Sequence, residues 1–384
     1  MALARPWTWL GARLALAALS VAVVPANVLG QQPAQATVVV RKTRISGYPY
    51  VFATPEAGVA FGLGGIVTFY TSATDTVLRP SKVTVGGWYS LNNQYKLSVV
   101  PQVTMDRNQW QLNLPIDFGR FTDKFWGIGN TTPELPYDSA TDSEIEDFRS
   151  EVMNVKLDVQ GPLPIFHSIR SGVLLEFNNT RIVDAKLNPY LNADTVLGTD
   201  GGQTFGLGVT SVWDTRNHAF FPETGGFYQV RALWFPILLG TDYAYGRIEA
   251  DFRTFLRRGP DEVVALQAYG NFILGNAPFY ALSALGGSNR MRGYFQGRYR
   301  DKHLVVAQAE YRRLVWKRLG FTLFGGVGDV FGSDATEFAI SNLKWSLGGG
   351  LRFRFNQAEK VNLRVDFGFG RDTKGVYFQL EEAF

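Results

Sequence analysis

The chain has 384 residues, with 38 lysines and arginines against 34 aspartates and glutamates, and it contains no cysteine. The absence of cysteine excludes disulfides, thiolate chemistry and cysteine-ligated metal sites. A formal net charge of +4 on a chain of this length gives no reason to expect a nucleic-acid-binding surface.

The first 36 residues have the features of a secretory signal peptide. Arg5 and Arg13 form a positively charged start, residues 14–24 form an apolar run, and Ala34-Gln35-Ala36 fits a cleavage site. Cleavage after Gly30 is a second candidate. A retained membrane anchor is the alternative, but the run is shorter than the roughly 20 apolar residues that a spanning helix needs. The sequence therefore predicts Sec export.

The rest of the chain alternates apolar and polar residues with a period of two. In residues 351–356 apolar side chains stand at odd positions and two arginines at even ones, and residues 361–369 repeat the pattern. A strand sorts such residues onto two faces, whereas a helix would mix them. A soluble sandwich also alternates, but strands of about ten residues joined as hairpins favour a transmembrane barrel. The predicted fold class is all-β, a closed antiparallel transmembrane β-barrel.

Fifteen strands are expected in chain order, near residues 57–71, 81–91, 94–105, 108–118, 147–160, 168–180, 203–213, 226–236, 243–256, 262–274, 303–314, 319–328, 341–355, 361–369 and 375–384. Because single-chain barrels have an even number of strands, a sixteenth is expected, and residues 125–129 are the best candidate. Residues 37–56 then form a short periplasmic lead-in, and residues 57–384 form the barrel. Such a lead-in is too short for a folded domain.

Loop lengths assign the two ends of the barrel. The long polar segments 131–146, 181–202 and 275–302 are expected outside the cell, because outer loops are longer than periplasmic turns. Asn92-Asn93 and residues 161–167, 214–225 and 257–262 are expected to be periplasmic turns.

Four features of the barrel sequence form a specific combination. They are Asp214-Thr215-Arg216-Asn217 with Phe220-Phe221-Pro222 and Gly225-Gly226, the loop Gly286-Gly287-Ser288-Asn289-Arg290-Met291-Arg292-Gly293-Tyr294, Ala309-Glu310-Tyr311, and the final Phe384. Together they resemble the BamA/TamA-like outer-membrane barrel superfamily (the bacterial surface antigen family). They are similar, in that order, to its periplasmic turn, its [VL]RG[FY] loop motif, the acidic position after that loop, and the terminal aromatic read by the assembly machinery.

The resemblance implies a sixteen-stranded barrel whose sixth outer loop folds into the lumen, where its arginine pairs with acids on the following strands. The residues support this independently, because Gln308, Glu310 and Arg312 share one face of their strand and that polar face must line the lumen. A guanidinium under a loop needs a carboxylate. We therefore predict an Arg292–Glu310 pair, and expect Arg292→Ala or Glu310→Ala to loosen the sixth loop.

The sequence departs from the family pattern in three respects. The second acid that the family often carries on the next strand is Gly326 here, and Asp329 is an open alternative. Glu382 has the parity of lipid-facing residues, where an apolar side chain is expected. The periplasmic POTRA domains, which receive clients in the assembly factors, are not expected in this chain.

No catalytic, cofactor-binding or metal site is predicted. His167, His218 and His303 fall in separate turns and loops, so no serine–histidine constellation is visible. The inward charges Arg352, Arg354, Arg364, Asp158 and Asp366 fit either a selectivity lining or an ion-pair network against a plug.

The leading functional hypothesis is a role in outer-membrane biogenesis, through insertion or translocation of protein or lipid. The alternative is a passive pore or a structural membrane anchor. The expected partners are outer-membrane lipid, the barrel assembly machinery during biogenesis and a separate periplasmic protein docking at residues 214–226, with no nucleic acid. The expected location is the bacterial outer membrane.

Overall fold

The structure is a computed structural model that describes residues 43–384 except 73–77, 134–136, 139–142, 145–146, 167, 186–187, 193–195, 334–335 and 358–359. The predicted signal peptide lies outside the described residues. No helix in the described part of the chain combines the length and the apolar character needed to cross a bilayer.

Sixteen antiparallel strands form one closed sheet, as predicted. In chain order they are β1 Arg44–Thr54, β2 Gly58–Phe69, β3 Ser81–Ser90, β4 Tyr95–Met105, β5 Trp110–Asn113 with Ile116–Lys124, β6 Asp147–Pro162, β7 Ile169–Asp184, β8 Gly201–Asp214, β9 Gly225–Phe235, β10 Tyr245–Gly259, β11 Glu262–Gly275, β12 His303–Trp316, β13 Leu319–Phe331, β14 Lys344–Asn356, β15 Val361–Gly370 and β16 Thr373–Leu380.

β5 is one strand in two segments. Pro115 has no amide hydrogen for the ladder and interrupts it. The register against β4 and β6 continues unchanged across the break. The loops add two short hairpins, Tyr137–Asp138 with Ser143–Glu144 and Ser283–Leu285 with Tyr299–Asp301, and the 3-10 turns Ile237–Leu239, Phe279–Ala281 and Ile340–Asn342.

The strand count was correct, but the expected sixteenth strand was wrong. Residues 125–129 do not form a strand, and residues 44–54, expected within the lead-in, form β1 and pair with β2 along their whole length. The reason lies in the composition of β1. Its inward side chains include Tyr48, Tyr50 and Phe52, so both faces are apolar and the alternation disappears.

This correction also changes the end to which one turn belongs. Asn92-Asn93 lies at the end that carries the long loops, not at the opposite end as expected. Glu56 shows this directly, because its carbonyl accepts from Gln94 Nε2 (2.9 Å) and its carboxylate accepts from the Gln296 amide in the loop at 276–302 (2.8 Å). The turns at 163–166, 215–224 and 260–261 share the other end, which we call the periplasmic end.

The two faces of the wall have opposite character, as the alternation predicted. On β14 Leu351 is 66% exposed towards the membrane side, whereas the neighbouring Arg352 is 4% exposed. Phe367 and Phe369 are likewise exposed on β15, and Asp366 is fully buried. The interior of the barrel is therefore polar and ionic, and the apolar side chains point outward.

Candidate functional site

The sixth loop at the outer end, residues 276–302, folds back into the lumen. It narrows at the hairpin of Ser283–Leu285 with Tyr299–Asp301, and Gly286 and Gly287 then turn the chain inward with φ values of 109° and 107°. Only glycine adopts such values without strain. Residues 288–294 form the loop tip, and Met291, Arg292 and Tyr294 are each at most 1% exposed.

The loop tip lies directly against the wall at β15. A Cβ on Gly368 would stand 2.6 Å from the carbonyl carbon of Arg292, so the two backbones are in contact. The Gly293 amide donates to Tyr377 Oη (2.9 Å), and Tyr294 Oη donates to the carbonyl of Trp345 (3.0 Å). Each residue of the Arg292-Gly293-Tyr294 motif thus fixes the tip to strands β14–β16.

Arg292 is the buried charge of the loop tip. Its Nη2 pairs with Glu310 on β12, and its Nη1 pairs with Asp366 on β15 at 2.6 Å. The guanidinium also lies over the Phe324 ring, 3.5 Å from the centroid. The fork of arginine suits two carboxylates at once, which a lysine ammonium cannot reproduce.

Asp366 is the residue that the sequence reasoning missed as a partner of Arg292. The alternation had placed Asp366 inside the lumen, but nothing in the sequence told us that β15 faces the loop tip. Asp329, the alternative considered for the missing second acid, instead accepts from Asn130 Nδ2 (3.1 Å) and lies 3.9 Å from Lys344 Nζ.

Three further arginines extend the network. Arg312 donates from Nε to Glu310 (2.8 Å), Arg364 donates to Asp366 (2.8 Å) and to the carbonyl of Ser288 (3.1 Å), and Arg352 also pairs with Asp366. These contacts favour the plug network over the selectivity lining for Arg352, Arg364 and Asp366. Asp158 lies outside it and accepts from Gln160 (2.9 Å).

The turn at 215–224 folds across the periplasmic end of the lumen. Arg216 donates to Asp214 (Nη2 to Oδ2, 2.9 Å), and the Gly226 amide donates to Thr215 Oγ1 (2.9 Å), which fixes the shape of the turn. Phe221 and Pro222 are buried. Phe221 of this turn, at which a periplasmic partner is expected to dock, thus packs inside the chain, where Arg354 stacks on its ring (4.7 Å).

The end of the chain leaves the wall, which corrects two expectations. β16 stops at Leu380 rather than continuing to residue 384, and Glu381 has a φ of 69°. Glu382 consequently points into the lumen, not to the lipid, and accepts from Arg352 Nε (2.8 Å) and Asn362 Nδ2 (2.7 Å). Phe384 is 6% exposed and lies inside the periplasmic mouth.

Among the described strands, the first and the last share the fewest paired positions. β1 and β16 pair at a single position, Ala53 with Phe378, whereas their other neighbours pair along most of their length. Residues 44–49 of β1 are exposed. Beside this seam the lumen contains a cavity of about 490 Å³ that is lined by Tyr48, Tyr50, Phe52 and Trp88 and by the loop tip.

The histidines that the structure describes do not assemble a site. His218 Nδ1 accepts from the amides of Phe220 and Phe221 (both 3.2 Å), and His303 contacts the rings of Phe272 and Phe331. Among the described residues, no group of three or more histidines and carboxylates is arranged to hold a metal ion.

Comparison with known proteins identifies the family and the fold. The model of the Omp85 superfamily domain matches residues 67–384. The structure is similar to BamA from Haemophilus ducreyi lacking POTRA domains 1-3, with a TM-score of 0.59 and 11% identity over 89% of this chain and 70% of that chain.

Two further solved structures share the fold. CdiB from Acinetobacter baumannii and CdiB from Escherichia coli each give a TM-score of 0.55 and 11% identity over 88% of this chain. This chain spans 59% and 62% of their respective lengths. No curated protein sequence matches the chain.

Proposed function

This chain belongs to the Omp85 superfamily, and we propose that it inserts or translocates protein or lipid at the bacterial outer membrane. The observation that carries the proposal is the seam between β1 and β16, which pair at one position only. An edge strand presents unpaired amide and carbonyl groups, and another chain can add to them. Opening of the seam therefore requires the loss of few hydrogen bonds.

The interior of the barrel supports this reading over a passive pore. A pore needs an open path, whereas the loop tip, held by Arg292, and the buried Phe384 occupy the lumen at two depths. The cavity beside the seam leaves about 490 Å³ for an entering segment. Its aromatic and polar lining suits a chain with mixed side chains.

A reversible crosslink tests the seam. The chain has no cysteine, so Ala53→Cys with Phe378→Cys places a single pair across the seam, and Val365→Cys with Phe378→Cys is a matched pair within the wall between β15 and β16. The assay measures insertion of an urea-unfolded eight-stranded outer-membrane protein into liposomes that contain the purified variant.

We expect the oxidised seam pair to abolish the accelerated insertion, reduction to restore it, and the wall pair to have no effect. Planar-bilayer recording of the wild type is the second measurement, and near-silence is expected. Steady large conductance together with insertion that is unchanged by the seam crosslink would establish the passive pore instead.

A further inference from the structure

The last four residues close the periplasmic mouth of the lumen. Ala383 and Phe384 pack in one apolar cluster with Phe221 of the turn at 215–224, and with Phe255, Val263 and Ala265 of the wall. We call residues 381–384 the tail. The Phe384 side chain thus packs with one turn and with the wall, in the mouth through which a solute would enter.

Ion pairs hold the turn at 215–224 over the periplasmic mouth. Glu223 accepts from Lys360 Nζ (3.0 Å), which lies between β14 and β15, and it also pairs with Arg257 on β10. The turn between β8 and β9 therefore reaches across the mouth to the opposite wall. Phe221 is held over the opening, and the tail lies against it.

Two arginines connect the tail to the sixth loop. Arg312 binds Glu310 through both Nε and Nη2, and the same Nη2 also donates to the main-chain oxygen of Phe384 (2.7 Å). Arg352 binds Asp366 through Nη1 and Glu382 through Nε (2.8 Å). Glu310 and Asp366 are the same two carboxylates that hold Arg292. The loop tip and the tail are thus bound to one connected set of buried charges.

We propose that the tail is a movable gate at the periplasmic mouth, and that its closure is coupled to insertion of the sixth loop. When Arg292 withdraws, Glu310 and Asp366 each lose a cation in a dry environment. Arg312 and Arg352, which already contact these carboxylates, are then drawn more strongly to them, and their bonds to the main chain of Phe384 and to Glu382 weaken and release the tail. The coupling is reciprocal by linkage, so release of the tail also frees the loop.

A single thiol reports the state of the gate. The chain contains no cysteine, and Ala383 is 6% exposed in the closed mouth, so a membrane-impermeant maleimide should label the Ala383→Cys variant slowly in folded protein. Adding Arg292→Ala should accelerate this labelling about tenfold, within the range usual for coupled sites. Heat-modifiable gel mobility confirms that each variant is folded.

Arg247→Ala is the matched control. Arg247 on β10 also binds a buried acid, Glu176 on β7 at 2.5 Å, and its guanidinium lies over the ring of Phe235 on β9, so these contacts are with the wall and not with the tail or the loop tip. We expect it to leave the labelling rate of Ala383→Cys unchanged. Equal acceleration by both arginine variants would mean general loosening of the barrel and would overturn the proposal.

The reverse experiment does not depend on folding of the Arg292 variant. Glu382→Gln removes one anchor of the tail, and Met291→Cys, at a position with no exposure in the loop tip, is the reporter at the other end. Faster labelling of Met291→Cys in the Glu382→Gln background is expected. An unchanged rate shows that the two ends are independent and rejects the coupling.

Discussion

Arg292 is held by carboxylates from strands three apart in the wall, Glu310 on β12 and Asp366 on β15. Its side chain is 1% exposed, so water cannot replace Glu310 or Asp366 when one of these partners is lost. Breaking a buried ion pair from one side costs about 3–5 kcal/mol. A single substitution at Arg292, Glu310 or Asp366 should therefore strongly weaken the attachment of the loop tip to the wall.

A double-mutant cycle separates the acid that the structure assigns from the one considered earlier. Arg292→Ala with Asp366→Asn should show a coupling energy of about 1–3 kcal/mol, because the two side chains share a buried contact. Arg292→Ala with Asp329→Asn should be additive within about 0.5 kcal/mol. The measurement is the free energy of unfolding in urea, in detergent or lipid. Larger coupling through Asp329 than through Asp366 would contradict the assignment.

At the residue scale, sequence reasoning reached part of this site. The position of Glu310 on the inward face of its strand and the motif around Arg292 were sufficient to predict this pair. Asp366 was placed on the correct face, but its distance to Arg292 depends on which strand lies under the loop tip. Glu382 was placed on the wrong face, because its parity was counted along a strand that ends at Leu380.

In the turn at 215–224, residues of the sequence motif fix the conformation of the turn. Asn217 Oδ1 accepts from the amides of Glu223 (2.9 Å) and Thr224 (3.1 Å), and this closes the turn so that Phe221 points into the mouth. Burial raises the pKa of Glu223, but the hydrogen bond and charge of Lys360 and the charge of Arg257 lower it more, so the pKa lies below its ordinary value.

Acidification should therefore weaken the closure that this turn provides. A carboxyl with a lowered pKa in the folded state stabilises above its unfolded pKa of 4.5 and loses that contribution as the pH falls through the folded value. The difference in unfolding free energy between wild type and Glu223→Gln should be constant above about pH 5.5 and shrink below pH 4.5.

Glu262→Gln provides the control for this pH dependence. It removes a more exposed pair with Arg313 (3.2 Å) at the same end of the barrel, and such pairs contribute little. A difference for Glu223→Gln that is independent of pH from 7 to 3.5 would show that this carboxylate does not hold the turn.

In the part of the chain that the structure describes, the closed sheet has its shortest pairing at the seam between β1 and β16. Because β1 pairs with β16 at one position only, amides of residues 44–54 should exchange with deuterium faster than those of residues 262–272 on β11, which pair with β10 on one side and with β12 on the other. Peptide-resolved exchange of the folded protein in lipid measures this. Equal protection of the two strands would show that the seam is as stable as the wall.

The sequence by itself determined the barrel, the number of strands and the sorting of side chains between lipid and lumen. The alternation with a period of two gives the two faces of each strand, and the even number of strands in single-chain barrels gives the count. Neither rule requires knowledge of which residues are in contact. The alternation failed only at β1, where aromatic residues occupy the inner face, and beyond Leu380, where the chain leaves the strand.

The tertiary structure alone decided which charges meet. Glu310, Asp366 and Glu382 are separated by up to 72 positions between the first and last, and only closure of the sheet brings β12, β14 and β15 around the loop tip and the tail. A buried arginine requires carboxylates but does not specify where in the chain they lie. The same closure decided that the seam would pair at one position, because the length of contact between the first and last strands depends on the shape of the whole barrel.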